Sequence, residues 1–91
     1  MRLGRITGKV WATKKEPSLH GLKLYVMQPL DHHQVPQGSP LIAVDAIGAG
    51  EGEMVFWVAG ADATLAFEGR TIPSDATIIG IVDSVHAEGV A

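Results

Sequence analysis

The sequence predicts an all-β fold, a sandwich or barrel of short strands, and three observations point there. Short apolar runs rich in β-branched residues recur along the 91 residues, each bounded by turn residues. Eleven glycines and five prolines leave no stretch free of both longer than eight residues, which excludes a long helix, a coiled coil or a helical bundle. Several runs are apolar at every position: Leu41-Ile42-Ala43-Val44, Met54-Val55-Phe56-Trp57-Val58 and Ile78-Ile79-Gly80-Ile81-Val82. A strand with one wet face alternates, so these strands are expected to be covered on both faces.

Taken in order, the first strand is expected over Leu3–Thr13. Ile6, Gly8, Val10 and Ala12 fall on one face, and Leu3, Arg5, Thr7, Lys9, Trp11 and Thr13 on the other. Gly4 and Gly8 mark bends or close backbone approach. Lys14–Gly21 reads as a polar loop around Pro17. The second strand runs over Leu22–Leu30, followed by a loop, Asp31–Pro40, set by Pro36, Gly38 and Pro40. Leu41–Ile47 and Met54–Ala59 read as the third and fourth strands, joined by the turn Gly48–Glu53 and expected to pair as a hairpin. Ala and Leu over Gly60–Glu68, with Asp62 placed to cap, predict one or two helical turns. Pro73-Ser74-Asp75 leads into a fifth strand, Ala76–Val85, and a short tail follows. Five strands and a short α-helix fit an OB-like β-barrel, and residues 1–91 read as one domain.

A chain this small encloses one core, and one short helix cannot cover every outward apolar face. A second copy of the same chain is the expected cover, and hence an oligomer. There are no cysteines for a disulfide. Ten acids against seven bases give a formal net charge of −3, the opposite of the basic excess that nucleic-acid binding needs. No apolar signal run opens the chain and no membrane span is legible, so a cytoplasmic protein is expected, with neither nucleic acid nor membrane as partner.

A search for chemistry finds none that holds. Gly48-Ala49-Gly50-Glu51-Gly52-Glu53 looks like a phosphate loop, but position 53 is Glu, no lysine is present, a strand follows, and Glu51 and Glu53 would repel phosphate. The glycines are better read as permitting positive φ or close packing. His20, His32, His33 and His86 lack metal-ligand spacing, although Asp31 stands beside His32. Ser18, Ser39, Ser74 and Ser84 lack nucleophile context. Asp45, Asp75 and Asp83 flank strands, where turn formation and N–H capping are their expected roles; Asp62 is a further scattered carboxylate. No catalytic residue, cofactor or metal is expected.

Four segments, in order, resemble one family. Gly4-Arg5-Ile6-Thr7-Gly8-Lys9-Val10-Trp11-Ala12-Thr13 opens like it, and Thr13–Leu24 follows its T-x-K-x-P-x-L-x-G-x-K-L pattern. Val44–Glu53 carries V-D-x-[VI]-G-A-G-x-G-E, and Pro73–Asp83 its P-x-D-[AK]-x-[IV]-[VI]-[GA]-I-[VI]-D ending. The chain resembles the EutN/CcmL family of bacterial microcompartment vertex proteins over nearly its whole length. That resemblance implies a five-stranded OB-like barrel and a homopentamer capping the five-fold vertices of a polyhedral shell, with hexameric shell proteins as partners. It implies an interface or pore-adjacent place for Thr13, Lys15, Gly48, Ala49, Gly50, Glu51, Gly52 and Glu53. Glu51 or Glu53 would there accept a neighbour's N–H groups. The chain departs from the family's G-S-x-A-R, reading Gly60-Ala61-Asp62-Ala63-Thr64 without the arginine. The competing reading is an OB-like module binding a ligand or nucleic acid.

Overall fold

The computed structural model describes residues 1–12, 17–19, 21–60, 63 and 75–86. Five strands form where the apolar runs lie: β1 (Arg2–Val10), β2 (Lys23–Leu30), β3 (Leu41–Asp45), β4 (Met54–Ala59) and β5 (Ala76–Ile81). They close a barrel in the order β1-β2-β3-β5-β4, and β4 returns to β1. Four seams are antiparallel; β3 and β5 run parallel, with Val44 beside Thr77 and Asp45 beside Ile78. In the polar loop, Pro17–Leu19 makes a 3-10 turn, and the Leu22 N–H donates to the Leu19 carbonyl at 3.1 Å.

Two expectations are corrected by this topology. The third and fourth strands are consecutive but do not form a hairpin. β3 pairs with β2 and β5, and β4 pairs with β1 and β5. Residues 46–53 therefore cross the barrel end from one seam to another, and no two-residue turn signal is present to close a hairpin there. The face assignment of the first strand also fails past Ile6. The register slips between Ile6 and Gly8, so Thr7 is a bulge residue and Gly8 pairs with Val26. Val26 lies between the buried Tyr25 and Met27, so Gly8 and Val10 turn outward while Ile6 points into the core. A second slip comes between Phe56 and Trp57, where Ile79 of β5 is the extra residue, and it sets Gly80 against the Phe56 ring.

The barrel is filled by Ile6, Tyr25, Met27, Ala43, Ala49, Val55, Trp57, Ala76 and Ile78. Gly4 makes room for two of them. A methyl group there would sit 2.7 Å from Met27 Sδ and 3.2 Å from Trp57 Cδ1. The buried indole still satisfies its donor, Nε1 to the Leu3 carbonyl at 2.9 Å. Outside the barrel, Thr77 is fully buried and its hydroxyl donates to the Ala63 carbonyl at 2.8 Å. Of the helical turns expected over Gly60–Glu68, Gly60 is a turn residue and Ala63 is helical and buried; the rest lies outside the described residues, as does the tail 87–91.

Candidate subunit-interface site

The crossing segment between β3 and β4 is built from hydrogen bonds within the chain. Asp45 ends β3 and is buried, and its carboxylate accepts the N–H groups of Ile47 at 3.1 Å and Gly48 at 3.0 Å. This is an Asx turn, which a short carboxylate makes two and three residues ahead of itself. Gly48 and Gly52 both adopt φ of +85°, which a side chain disfavours. Ala49 is buried, and its carbonyl accepts the Tyr25 hydroxyl at 2.8 Å. The Gly50 N–H donates to Glu53 Oε1 at 2.6 Å, and the Glu53 N–H returns to the Gly50 carbonyl at 3.2 Å. The Gly52 N–H reaches the Ile6 carbonyl, the Ile6 N–H reaches the Glu53 carbonyl, and Arg5 Nη1 donates to the Gly52 carbonyl at 2.9 Å.

Phosphate has little to bind here. The amides of residues 47, 48, 50, 52 and 53 are already committed, three of them to the chain's own carboxylates. Glu53 thus spends one carboxylate oxygen inside its own loop, while Glu51 is exposed. Tyr25 and Arg5 hold this loop, and no local motif marks them. Tyr25 lies 24 residues from its acceptor and Arg5 47 from its own.

The other carboxylates do not gather. Asp75 and Asp83 stand before and after β5 and are exposed, separated by the length of the strand, about 20 Å at ~3.3 Å per residue. The Asp75 carbonyl accepts the Gly60 N–H. Among the described residues no three His, Cys, Asp or Glu side chains are grouped to hold a metal. His32 and His33 lie ring to ring at 4.2 Å on the loop after β2. Nearby, a groove of about 880 Å³ opens beside Arg2, Asp31, His32 and Trp57. Its two charged side chains are engaged: Arg2 covers the Trp57 ring at 5.3 Å and Asp31 caps its own turn. Thr13 and Lys15 lie outside the described residues.

Apolar side chains do reach the outside of the barrel. Ile42 (52% exposed), Ile47 (43%), Phe56 (38%) and Ile81 (45%) lie on or beside β3, β4 and β5. The outward row Met54, Phe56 and Val58 is as apolar as the inward pair Val55 and Trp57.

The EutN/CcmL family profile, described as ethanolamine utilisation protein EutN/carboxysome, matches residues 1–83. The chain belongs to this family. A shell vertex protein from Rhodospirillum rubrum, GrpN, is 40% identical over 86 residues, 94% of this chain and 97% of its own. EutN of Escherichia coli, also a microcompartment shell vertex protein, is 38% identical over 89 residues, 98% of this chain and 94% of its own. The solved GrpN pentameric shell protein superposes with a TM-score of 0.84 at 39% identity, covering 96% of this chain and all of GrpN. CcmL of Gloeobacter violaceus superposes at 0.86 and 34% identity, over 99% and 93% of the two chains. These relatives are structural shell proteins, and this EutN/CcmL chain is a structural protein rather than an enzyme. No helix among its described residues is long and apolar enough to cross a membrane.

Proposed function

We propose that residues 1–91 act as one vertex domain, assembling into a homopentamer that closes the five-fold corners of a microcompartment shell. Hexameric shell proteins are its neighbours there. Hexagonal tiles alone make flat sheets, and pentagons supply the curvature that closes a polyhedron. The work is geometric, so a rigid barrel with sticky outer faces suffices. The observation that carries the reading is the apolar outside of the barrel at Ile42, Ile47, Phe56 and Ile81. Larger exposed apolar patches mark contact surfaces, and a ring of identical copies covers them head to tail.

The loop Gly48–Glu53 belongs to that contact, and Thr13 and Lys15 are assigned to the same interface or its pore by the family resemblance alone. Asp45 and Tyr25 pre-shape it within one chain, so little ordering remains to be done on association. Native mass spectrometry tests the reading. A species of five times 9.6 kDa is expected. A monomer persisting at high concentration would overturn it and leave the outer apolar residues without a cover.

A further inference from the structure

All four lysines of the chain, Lys9, Lys14, Lys15 and Lys23, fall between residues 9 and 23, with Glu16 as the one acid among them. Outside that segment stand nine carboxylates against three arginines. The chain is therefore bipolar, a basic segment on an acidic body, although its net charge is a mild −3.

Among the described residues the fold places Lys9 and Lys23 of that segment. β1 pairs with β4 only over Arg2–Arg5, with two more backbone bonds at Ile6. Beyond Ile6, among the described residues, β1 pairs with β2 alone, through Gly8, Lys9 and Val10. The end of β1 thus continues past its seam with β4 as a free edge on β2, which is itself flanked by β3; this edge is the arm. Trp11 stands at its edge, 83% exposed, with Lys9 Nζ 4.6 Å from the ring centroid. Lys9, Trp11 and Lys23 border a small groove floored by Val10 and Leu24. Among the described residues neither lysine reaches a carboxylate of its own chain.

The body offers the complement. Glu51 and Asp83 are both exposed. They come close to the start of β4 from two directions: Glu51 precedes Met54 by three residues, and Asp83 follows Val82, whose N–H donates to the Met54 carbonyl at 2.8 Å.

We infer that this edge, bearing Lys9, Lys23 and the exposed Trp11, is the half of the ring contact that docks on the acidic body of the adjacent copy, around its Glu51 and Asp83. The inference rests on the pentamer reading above and deepens it. A ring is heterologous: each copy must present two different surfaces that fit each other. A cationic arm and an anionic body are such a pair, and like-charged surfaces oppose the alternatives of arm on arm and body on body. The exposed indole gives the contact an apolar anchor, the kind of side chain that dominates interface energies once its surroundings are dry.

The test compares the intact wild-type chain with three variants by native mass and sedimentation. Lys9→Glu with Lys23→Glu reverses the arm; Glu51→Lys with Asp83→Lys reverses the body; the third chain carries all four changes. All four sites are exposed or partly so and lie outside the core, and circular dichroism checks that each barrel is folded. Each double reversal is expected to lower the pentamer fraction roughly tenfold at equal concentration, and the fourfold swap to restore it. Wild-type rings should loosen between 0.1 and 1 M salt, as screening shortens from about 10 Å to 3 Å. Trp11 emission, isolated as the difference from Trp11→Phe, should shift to the blue on assembly. Double variants that stay pentameric overturn the inference while leaving the pentamer intact. A monomeric wild type overturns the pentamer reading itself. Intact rings whose arm reversal abolishes single-stranded DNA binding assign the lysines to nucleic acid and also overturn it.

Discussion

Tyr25 shows how one atom positions a whole loop. Its ring fills the barrel and its hydroxyl ties the Ala49 carbonyl, both of them buried. Tyr25→Phe keeps the ring and leaves that carbonyl without its donor. The expected loss is about 1–3 kcal/mol, the usual cost of orphaning a buried polar group, read as a lower denaturant midpoint at unchanged slope. An unchanged midpoint would mean that water replaces the hydroxyl. Gly4 is the corresponding steric case. Gly4→Ala pushes a methyl against Met27 and Trp57 in a filled core and should cost about 1–3 kcal/mol, visible as a lower melting temperature. The Tyr25 contact was not legible locally, and Gly4 was legible only as a bend or close approach without its partners. A tyrosine in an apolar strand and a glycine in a polar one each carry several meanings until their neighbours are known.

At the scale of an element, the turn after β2 is organised by Asp31. The Val35 N–H does most to hold its carboxyl below the ordinary 3.8, and the His33 N–H and the rings of His33 and His32 add to it; desolvation works against them. A carboxylate whose pKa is depressed on folding contributes stability above its unfolded value and loses it as the pH falls through the folded one. The turn should therefore keep its structure at pH 5 and loosen below 3.8. The amide resonances of His33 and Val35 should report a midpoint under 3.8, whereas Asp31→Asn should show no such transition. The strands themselves were legible because apolar runs between turn residues are dictated over five to nine residues. Their ends were less so: the first strand was expected to Thr13 and stops at Val10, and the third was expected to Ile47 and stops at Asp45, where the Asx turn begins. The bulges at Thr7 and Ile79 depend on how each strand meets its partner, which no single strand records.

At the scale of the whole molecule, folding and assembly place different demands on neighbouring glycines. Gly52 has φ of +85°, so Gly52→Ala strains the chain itself by about 1–2 kcal/mol. Gly50 is not in the left-handed region, and an added methyl would stand 3.4 Å from Glu53 Oε1, the oxygen that accepts its N–H. Gly50→Val is expected to shift stability by no more than about 1 kcal/mol and yet to deplete the pentamer, because its branches project from the loop assigned to the contact. Melting curves beside native mass spectra separate the two effects. A variant that keeps full pentamer content would remove Gly50 from the contact.

The sequence by itself determined the all-β class, the approximate place of all five strands and the need for a covering partner. Each of these follows from local composition: β-branched runs, turn residues at close spacing, and strands apolar at every position. It also carried the family resemblance, since the Val44–Glu53 and Pro73–Asp83 patterns are contiguous. Only the tertiary structure decided which strands adjoin. A closed barrel of five strands cannot be antiparallel all the way round, so at least one seam is parallel; the tertiary structure places it between β3 and β5, and β4 pairs with β1 and β5 instead of forming the expected hairpin. It likewise decided that the glycine-rich turn is tied down by Asp45, Glu53, Tyr25 and Ile6, and that Lys9 and Lys23 border one groove beside Trp11. Such arrangements join residues distant in the chain, and pairing across a sheet creates them.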